Sequence, residues 1–363
     1  MTKRIKTIFS HLKKPLDAIL LKNGTMPFLD DNFFYATGLE HGIYEGCLAV
    51  LYSDGDLDLI VSELEAESAK NSQAHLCIYK TKEEYAALIR HLSSSLKTVG
   101  LNFTGLLHQD FEKLQEQLPQ AKFFDVSETL QTARAVKDPQ ELQSIKKACS
   151  IADTVMGKIP DFVSDGMMES ELAAEIEYNL LKQGAERPAF DIISSFQHNT
   201  AEPHYSHGYT RLKKGSFVLC DFGACFQRYN SDITRTFVYG KASEQQKSMY
   251  ETVLNAQQIG FDAIRPGVKA QAVHTAVSSF IDGTIYKGRF IHSTGHGLGL
   301  AVHDGPGFSS ENSMELKENM VLTVEPGVYL PGLGGVRIED DILIKKDGME
   351  ILTKASRKFQ ELR

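Results

Sequence analysis

Phe217-Val218-Leu219-Cys220-Asp221 leads through Gly223 and Tyr229-Asn230-Ser231 to Asp232-Ile233-Thr234-Arg235-Thr236. The apolar runs on either side of this turn read as a strand and its returning partner, a hairpin that brings both carboxylates to one point. An unpaired carboxylate in a buried strand costs several kcal/mol unless it is neutralised or coordinates a cation. The same signature recurs downstream. Glu325 follows Val321-Leu322-Thr323-Val324 and precedes Pro326-Gly327, and Glu339 lies between Val336/Ile338 and Ile342-Leu343-Ile344. His296 sits in Gly295-His296-Gly297-Leu298-Gly299, where small neighbours would let the backbone pass close to a metal. One acid beside an apolar run is usually the exposed tip of a strand. Four of them with a glycine-flanked histidine describe a metal site. Oxygen-rich donors with one imidazole suit a pair of divalent first-row metals better than a thiolate-held structural zinc. The reaction class implied is metal-assisted hydrolysis of an amide or ester.

Three more histidines stand in Gly/Pro-rich loops beside these strands: His204 in Pro203-His204-Tyr205, His292, and His303 in Val302-His303-Asp304-Gly305-Pro306. Their contexts mark them as functional candidates. His198, His207, His274 and the five histidines of the N-terminal region read as surface or core residues.

The rest of the chain bounds what such a site can belong to. At 363 residues it is long enough for two domains, and 42% hydrophobic with 24% charged residues is ordinary for a soluble globular protein. A net charge of −8 with no basic stripe argues against nucleic acid as a partner. No segment approaches the roughly 18 apolar residues that span a bilayer, and the N-terminus lacks a signal peptide's hydrophobic stretch, so a cytoplasmic location and no membrane partner are expected. The five cysteines (Cys47, Cys77, Cys149, Cys220, Cys225) show no CxxC spacing and read as reduced core thiols.

The first 134 residues alternate strand-like runs (Leu16–Leu21, Phe33–Thr37, Cys47–Tyr52, Leu57–Val61) with helical ones (Glu63–Lys70, Lys82–Ser95, Phe111–Gln117), an α/β unit without a phosphate loop or ligand cluster. Asp138-Pro139-Gln140-Glu141 is a helix start, with Asp as N-cap, Pro at the first helical position and Glu closing a capping box. The junction is placed near Ala135–Lys137, giving domains 1–134 and 135–363. Within the second, a capped long helix, a Gly166 turn, a helix through Leu172, Ile176 and Leu180, and then strands form one course. A helix from Ser243, a Gly267 turn, a helix through Val273–Ile281 and further strands form another, offset by roughly 100 residues. The fold class expected is α/β (α+β) with a pseudo-twofold second domain. The acids and His296 would lie between its halves.

Asp221…Asp232 with Ser231-Asp232-Ile233-Thr234-Arg235-Thr236, Gly295-His296-Gly297, Val324-Glu325-Pro326-Gly327 and Arg337-Ile338-Glu339-Asp340-Asp341 resemble the pita-bread metallopeptidases. They are closest in kind to the Xaa-Pro peptidases, prolidase (Xaa-Pro dipeptidase) and aminopeptidase P. Asn32-Phe33-Phe34-Tyr35-Ala36-Thr37-Gly38 is similar, more loosely, to the creatinase-type N-terminal domain. The resemblance implies that Asp221 binds one metal, that Asp232 and Glu339 bridge both, and that His296 and Glu325 complete the coordination of the second metal. It implies that Glu325 also moves a proton from the attacking water towards the leaving proline nitrogen. His204 and His303 would contact substrate and steady the tetrahedral intermediate. His292 would shape the proline pocket, and Arg337 would anchor a substrate carboxylate or an acid that supports the metal ligands from outside. Two divalent ions, manganese or cobalt by family habit with zinc and iron as alternatives, short proline-containing peptides and a homodimer follow from the same resemblance. One departure is Ser195-Phe196-Gln197-His198-Asn199-Thr200, where many relatives carry a small Gly-x-Asn turn. The bulkier Phe196-Gln197-His198 is expected to narrow or reshape the substrate side.

The favoured activity is hydrolysis of the Xaa-Pro bond of dipeptides, with aminopeptidase P action on longer peptides as the alternative. A methionine aminopeptidase shares the five ligands but typically lacks the upstream domain. A creatine-type amidinohydrolase has both domains but has lost the acids. A catalytically silent peptide-binding module is the alternative of another class, and such modules lose ligands that are all present here.

Overall fold

The computed structural model describes residues 2–70, 72–92 and 94–363. The chain divides into two compact units, Met1–Arg134 and Ala135–Arg363.

The first unit is built on a six-stranded mixed sheet. Its order is His75–Tyr79, Leu57–Ser62, Leu48–Leu51, Ala18–Lys22, Thr98–Leu101, Lys122–Asp125. Ala18–Lys22 pairs antiparallel with Leu48–Leu51 and parallel with Thr98–Leu101. Leu20, Val50, Ile60, Val99 and Leu101 carry its core, with Ile89 and Leu114 packed from the helices Lys82–Leu92 and His108–Gln117. Phe33–Thr37, expected as a strand, is helical. Asp31–Thr37 begins where Asp30 accepts from the Asn32 amide and ends at Gly38, whose φ of +66° lets its N–H reach back to Phe34. Caps at both ends outweigh the strand preference of Phe-Phe-Tyr. The helix expected over Glu63–Lys70 shrinks to Ala66–Ala69, because the Glu63 amide instead bonds Tyr79 across the sheet edge. The continuation expected as far as Ser95 passes through Ser93, which lies outside the described residues; the described helix ends at Leu92.

In the second unit Asp138 accepts from the Gln140 and Glu141 amides, and Glu141 closes the capping box that starts Pro139–Met156. A turn through Gly166 (φ +73°) leads to Glu169–Lys182. The sheet that follows runs Glu361–Leu362, Ile233–Tyr239, Ser216–Phe222, Ile193–Phe196. The course then repeats. Ser243 caps Glu244–Ala263, Gly267 (φ +84°) turns the chain, and Ala270–Asp282 follows. Next come a three-stranded sheet (Val321–Val324, Asp340–Lys345, Gly348–Ile351) and the hairpin Gly327–Leu330 with Gly334–Arg337. Each helix pair covers an apolar sheet face: Ile145, Ile151, Leu172 and Ile176 on one side, Val253, Val273, Val277 and Ile281 on the other, all buried. The polar faces of the strands are left to meet one another, and there the acids converge.

Candidate active site

Asp221 lies on Ser216–Phe222, in register with Thr234 of Ile233–Tyr239. The turn between them closes tightly: a Cβ on Gly223 would strike the Ser231 carbonyl. Asp232 stands just before the second strand, its amide donating to Asp341 Oδ2 at 2.9 Å. Glu339 joins Gly334–Arg337 to Asp340–Lys345. Its amide bonds the Thr234 carbonyl at 3.1 Å, and its Oε2 accepts from Thr234 Oγ1 at 2.6 Å, so one threonine stitches the two halves of the unit together. Glu325 follows Val321–Val324 and is held by its amide to the Thr294 carbonyl at 2.8 Å. His296 is threaded between two backbone segments. Cβ atoms on Gly295 and Gly297 would strike the carbonyls of Thr323 and Asp304. The glycines were expected to make room beside a metal; what they make room for is neighbouring main chain.

Asp221, Asp232, His296, Glu325 and Glu339, together with His204, His292, His303 and Arg337, line one cavity of about 830 Å³. The acids form its floor and are largely buried, whereas His204 and His303 are exposed at its mouth. Phe190, Ile193 and Val302 add an apolar wall. Phe196, Gln197 and His198 do not line it. Phe196 is fully buried in the core, the Gln197 amide donates to the Arg211 carbonyl at 2.8 Å, and His198 faces solvent. The narrowing expected from that run is therefore absent.

The electrostatics of the floor call for cations. Fully ionised, the four carboxylates of the floor would outnumber the one guanidinium by three negative charges. Burial, reinforced by Glu339 and Asp221, drives Asp232 well above the usual carboxylate range, and burial with Glu325 does the same to Glu339. Glu325 is raised to about 7, chiefly by burial, with Arg337 opposing. Burial and the neighbouring His303, whose ring centroid is 4.2 Å away, lower His296 to about 4 and keep it neutral. Its Nδ1 lies 3.2 Å from the Gly297 carbonyl and serves as the donor there, leaving a lone pair on Nε2. That lone pair is 3.6 Å from Asp232 Oδ2 and 3.6 Å from Glu325 Oε1. Three acceptors facing one another repel unless a carboxyl proton or a cation lies among them. Asp232, His296 and Glu339 each offer a donor atom, all within 4.8 Å of one another, and Asp221 Oδ1 and Asp232 Oδ1 are buried without a hydrogen-bond partner. These residues fit divalent metal ions.

Arg337 was expected on a substrate carboxylate or on an acid outside the ligand set, and the acid it meets belongs to the expected ligands themselves. Its guanidinium pairs with Asp221, donates to Tyr329 OH at 3.0 Å and to Thr234 Oγ1 at 3.2 Å. Tyr329 OH in turn lies 2.8 Å from His292 Nε2, while His292 Nδ1 bonds the Ser293 carbonyl at 2.8 Å. Burial and then Arg337 push His292 down to about 3, so it offers the cavity a neutral ring, stacked edge-on against Phe290. Two loops that carry the mouth histidines are clamped by buried acids. Glu169 accepts from the amides of Phe196 and Gly208 and from Asn199 and Tyr205 side chains, on either side of His204. Asp304 accepts from Lys137 Nζ at 3.1 Å and from the Leu300 amide at 3.2 Å beside His303. Sequence reasoning missed Thr234, Tyr329, Asp341 and Glu169. Asp341 alone left a trace, as the third acid in Glu339-Asp340-Asp341 within an apolar strand.

Residues 143–346 match the model of metallopeptidase family M24, and residues 3–136 that of the creatinase/prolidase N-terminal domain. The chain belongs to metallopeptidase family M24. It is a metal-dependent peptidase, and the family's catalytic unit carries the whole cavity just described. Among M24 relatives it is 36% identical to an Xaa-Pro dipeptidase of Pyrococcus horikoshii over 99% of both chains. It superposes on the crystal structure of the prolidase from Pyrococcus horikoshii with a TM-score of 0.90 at 35% identity, covering 98% of this chain and 99% of the other. It is also similar to the X-Pro aminopeptidase from Thermotoga maritima, with a TM-score of 0.89 at 30% identity over 95% of this chain and 97% of that one.

Proposed function

We propose that this M24 peptidase is an Xaa-Pro dipeptidase, with release of N-terminal residues from longer Xaa-Pro peptides as the second reading. The observation that carries it is the convergence of five oxygen- and nitrogen-bearing side chains, two with orphaned buried oxygens, on a cavity with an apolar wall. In this reading Asp221, Asp232, His296, Glu325 and Glu339 hold two divalent ions, manganese foremost. When bound, these would polarise the scissile carbonyl and make water nucleophilic at neutral pH. The chain's own groups do the rest. Glu325, at the cavity floor beside His296, takes a proton from the attacking water and delivers it to the leaving proline nitrogen. His204 and His303 reach the substrate from the mouth and donate to the oxyanion. The neutral His292 ring, with Phe290 behind it, gives the proline ring an apolar surface. Arg337 orients Asp221 and Tyr329 instead of holding the substrate.

The similarity to both a dipeptidase and an X-Pro aminopeptidase makes chain length the deciding variable. Ala-Pro and Ala-Pro-Ala-Ala should be compared with manganese and then with chelator. Metal-dependent cleavage of Ala-Pro alone supports the dipeptidase reading, and release of alanine from the tetrapeptide supports the aminopeptidase. No cleavage of either refutes the proline assignment. A cytoplasmic homodimer completes the proposal; among the described residues no helix is long and apolar enough to cross a membrane.

A further inference from the structure

Among the described residues two groups bring three metal-ligating atoms within 4.8 Å of one another. One is Asp232, His296 and Glu339. The other lies in the first unit: Asp58, His75 and Cys77. Its geometry follows from strand register. His75–Tyr79 is the edge strand and pairs in parallel with Leu57–Ser62, placing Asp58 directly beside His75. Cys77, two residues on, shares the face of His75. Asp58 Oδ1 lies 2.8 Å from His75 Nδ1, and Cys77 Sγ lies 3.7 Å from that same nitrogen. The other oxygen of Asp58 accepts from Tyr52 OH at 2.9 Å, which fixes the carboxylate's orientation in the way ligating carboxylates are commonly braced. A tetrahedral zinc with ordinary bond lengths sets such donors about 3.3–3.6 Å apart. The pairs here bracket that spacing, so an ion is accommodated by a small opening of the Asp58–His75 contact.

We infer that Asp58, His75 and Cys77 form a second cation site, distinct from the peptidase centre and selective for a thiophilic divalent ion of the zinc type. Three protein donors and a water complete four-coordination. The thiol proton of Cys77 leaves to solvent as the sulfur binds, and His75, whose side chain is 74% exposed, holds its remaining proton on Nε2 in water. The ordinary alternative is a surface Asp–His pair above a core cysteine. The two differ in whether sulfur ever touches metal. Bound there, the ion clips this edge strand to its neighbour through side chains, where the sheet, among the described residues, ends.

The test is Co2+ titration of the full-length reduced protein after chelator stripping. A cobalt–thiolate pair absorbs in the near ultraviolet by sulfur-to-metal charge transfer, and the peptidase cavity, lined by oxygen and nitrogen donors, is silent in that band. We expect a band that saturates with one thiolate-bound cobalt per chain, is erased by Zn2+, and is missing in Cys77→Ser. His75→Ala, a substitution at an exposed side chain, should weaken the site ~10–100-fold or more and leave peptide hydrolysis unchanged. No band in the wild-type protein, or a band that survives Cys77→Ser, overturns the inference.

Discussion

Asp232 is fixed from behind by its own amide on Asp341 and presents a buried oxygen with no protein partner to the cavity. Asp232→Ala should therefore remove bound metal and hydrolysis together, read by metal analysis of the purified protein. Retention of full metal-dependent turnover would dismantle the assignment. His303, exposed at the mouth, packs its ring against that of His296. His303→Ala is expected to keep both metals and lose turnover by ~10²-fold, and unchanged kcat would demote it to a bystander. Glu325 yields a pH prediction. Its folded-state pKa is raised from 4.5 to about 7, so the folded protein without metal binds more protons than the unfolded chain between those values. Stability must then fall as pH rises through this window and level off above it, by about 3 kcal/mol for this group. Urea unfolding of stripped wild type against Glu325→Gln measures the difference; a gap independent of pH contradicts it.

At the scale of elements, buried ion pairs hold the pieces that carry the site. Arg235 is 1% exposed, pairs with Asp340 at 2.7 Å and donates to the carbonyls of Glu339 and Ala355, locking the hairpin strand to the segment that bears Glu339. Arg235→Met takes away the close cation and leaves the buried Asp340 with neutral donors from Gln257 and Thr353 and Arg357 at 3.8 Å, so it should cost about 3–5 kcal/mol by denaturant unfolding. A loss below 1 kcal/mol would mean the pair is not holding the strands. The acids of the floor were legible in the chain because each abuts or ends a short apolar strand run, a violation visible within five residues. The capping boxes at Asp138 and Ser243 were legible for the same local reason. Thr234 and Tyr329 were not, since a hydroxyl in a strand breaks no pattern; Thr234 meets Glu339 105 positions on, and Tyr329 meets His292 37 positions back. Phe33–Thr37 was misread because aromatic composition was weighed above Asp30 and Gly38, the two residues that end the helix on either side.

For the molecule as a whole, the floor is an electrostatic debt in the metal-free state, and cation binding is coupled to stability. At a free metal concentration a hundredfold above Kd, a site that exists only in the folded chain adds about 2.7 kcal/mol. For a unit of this size that corresponds to roughly 5–10 °C in Tm. Chelation should lower Tm by that order, and manganese should restore it; no change on chelation would separate metal binding from folding. The threonine stitch between Thr234 and Glu339 joins residues 105 positions apart, and the Arg337–Asp221 pair spans 116. Such a separation orders events in time. A chain leaving the ribosome has exposed both aspartates well before the histidine and glutamates that complete the set. Full-affinity metal capture must wait until both halves have docked, and the rate of metal uptake during refolding should follow the slowest docking step.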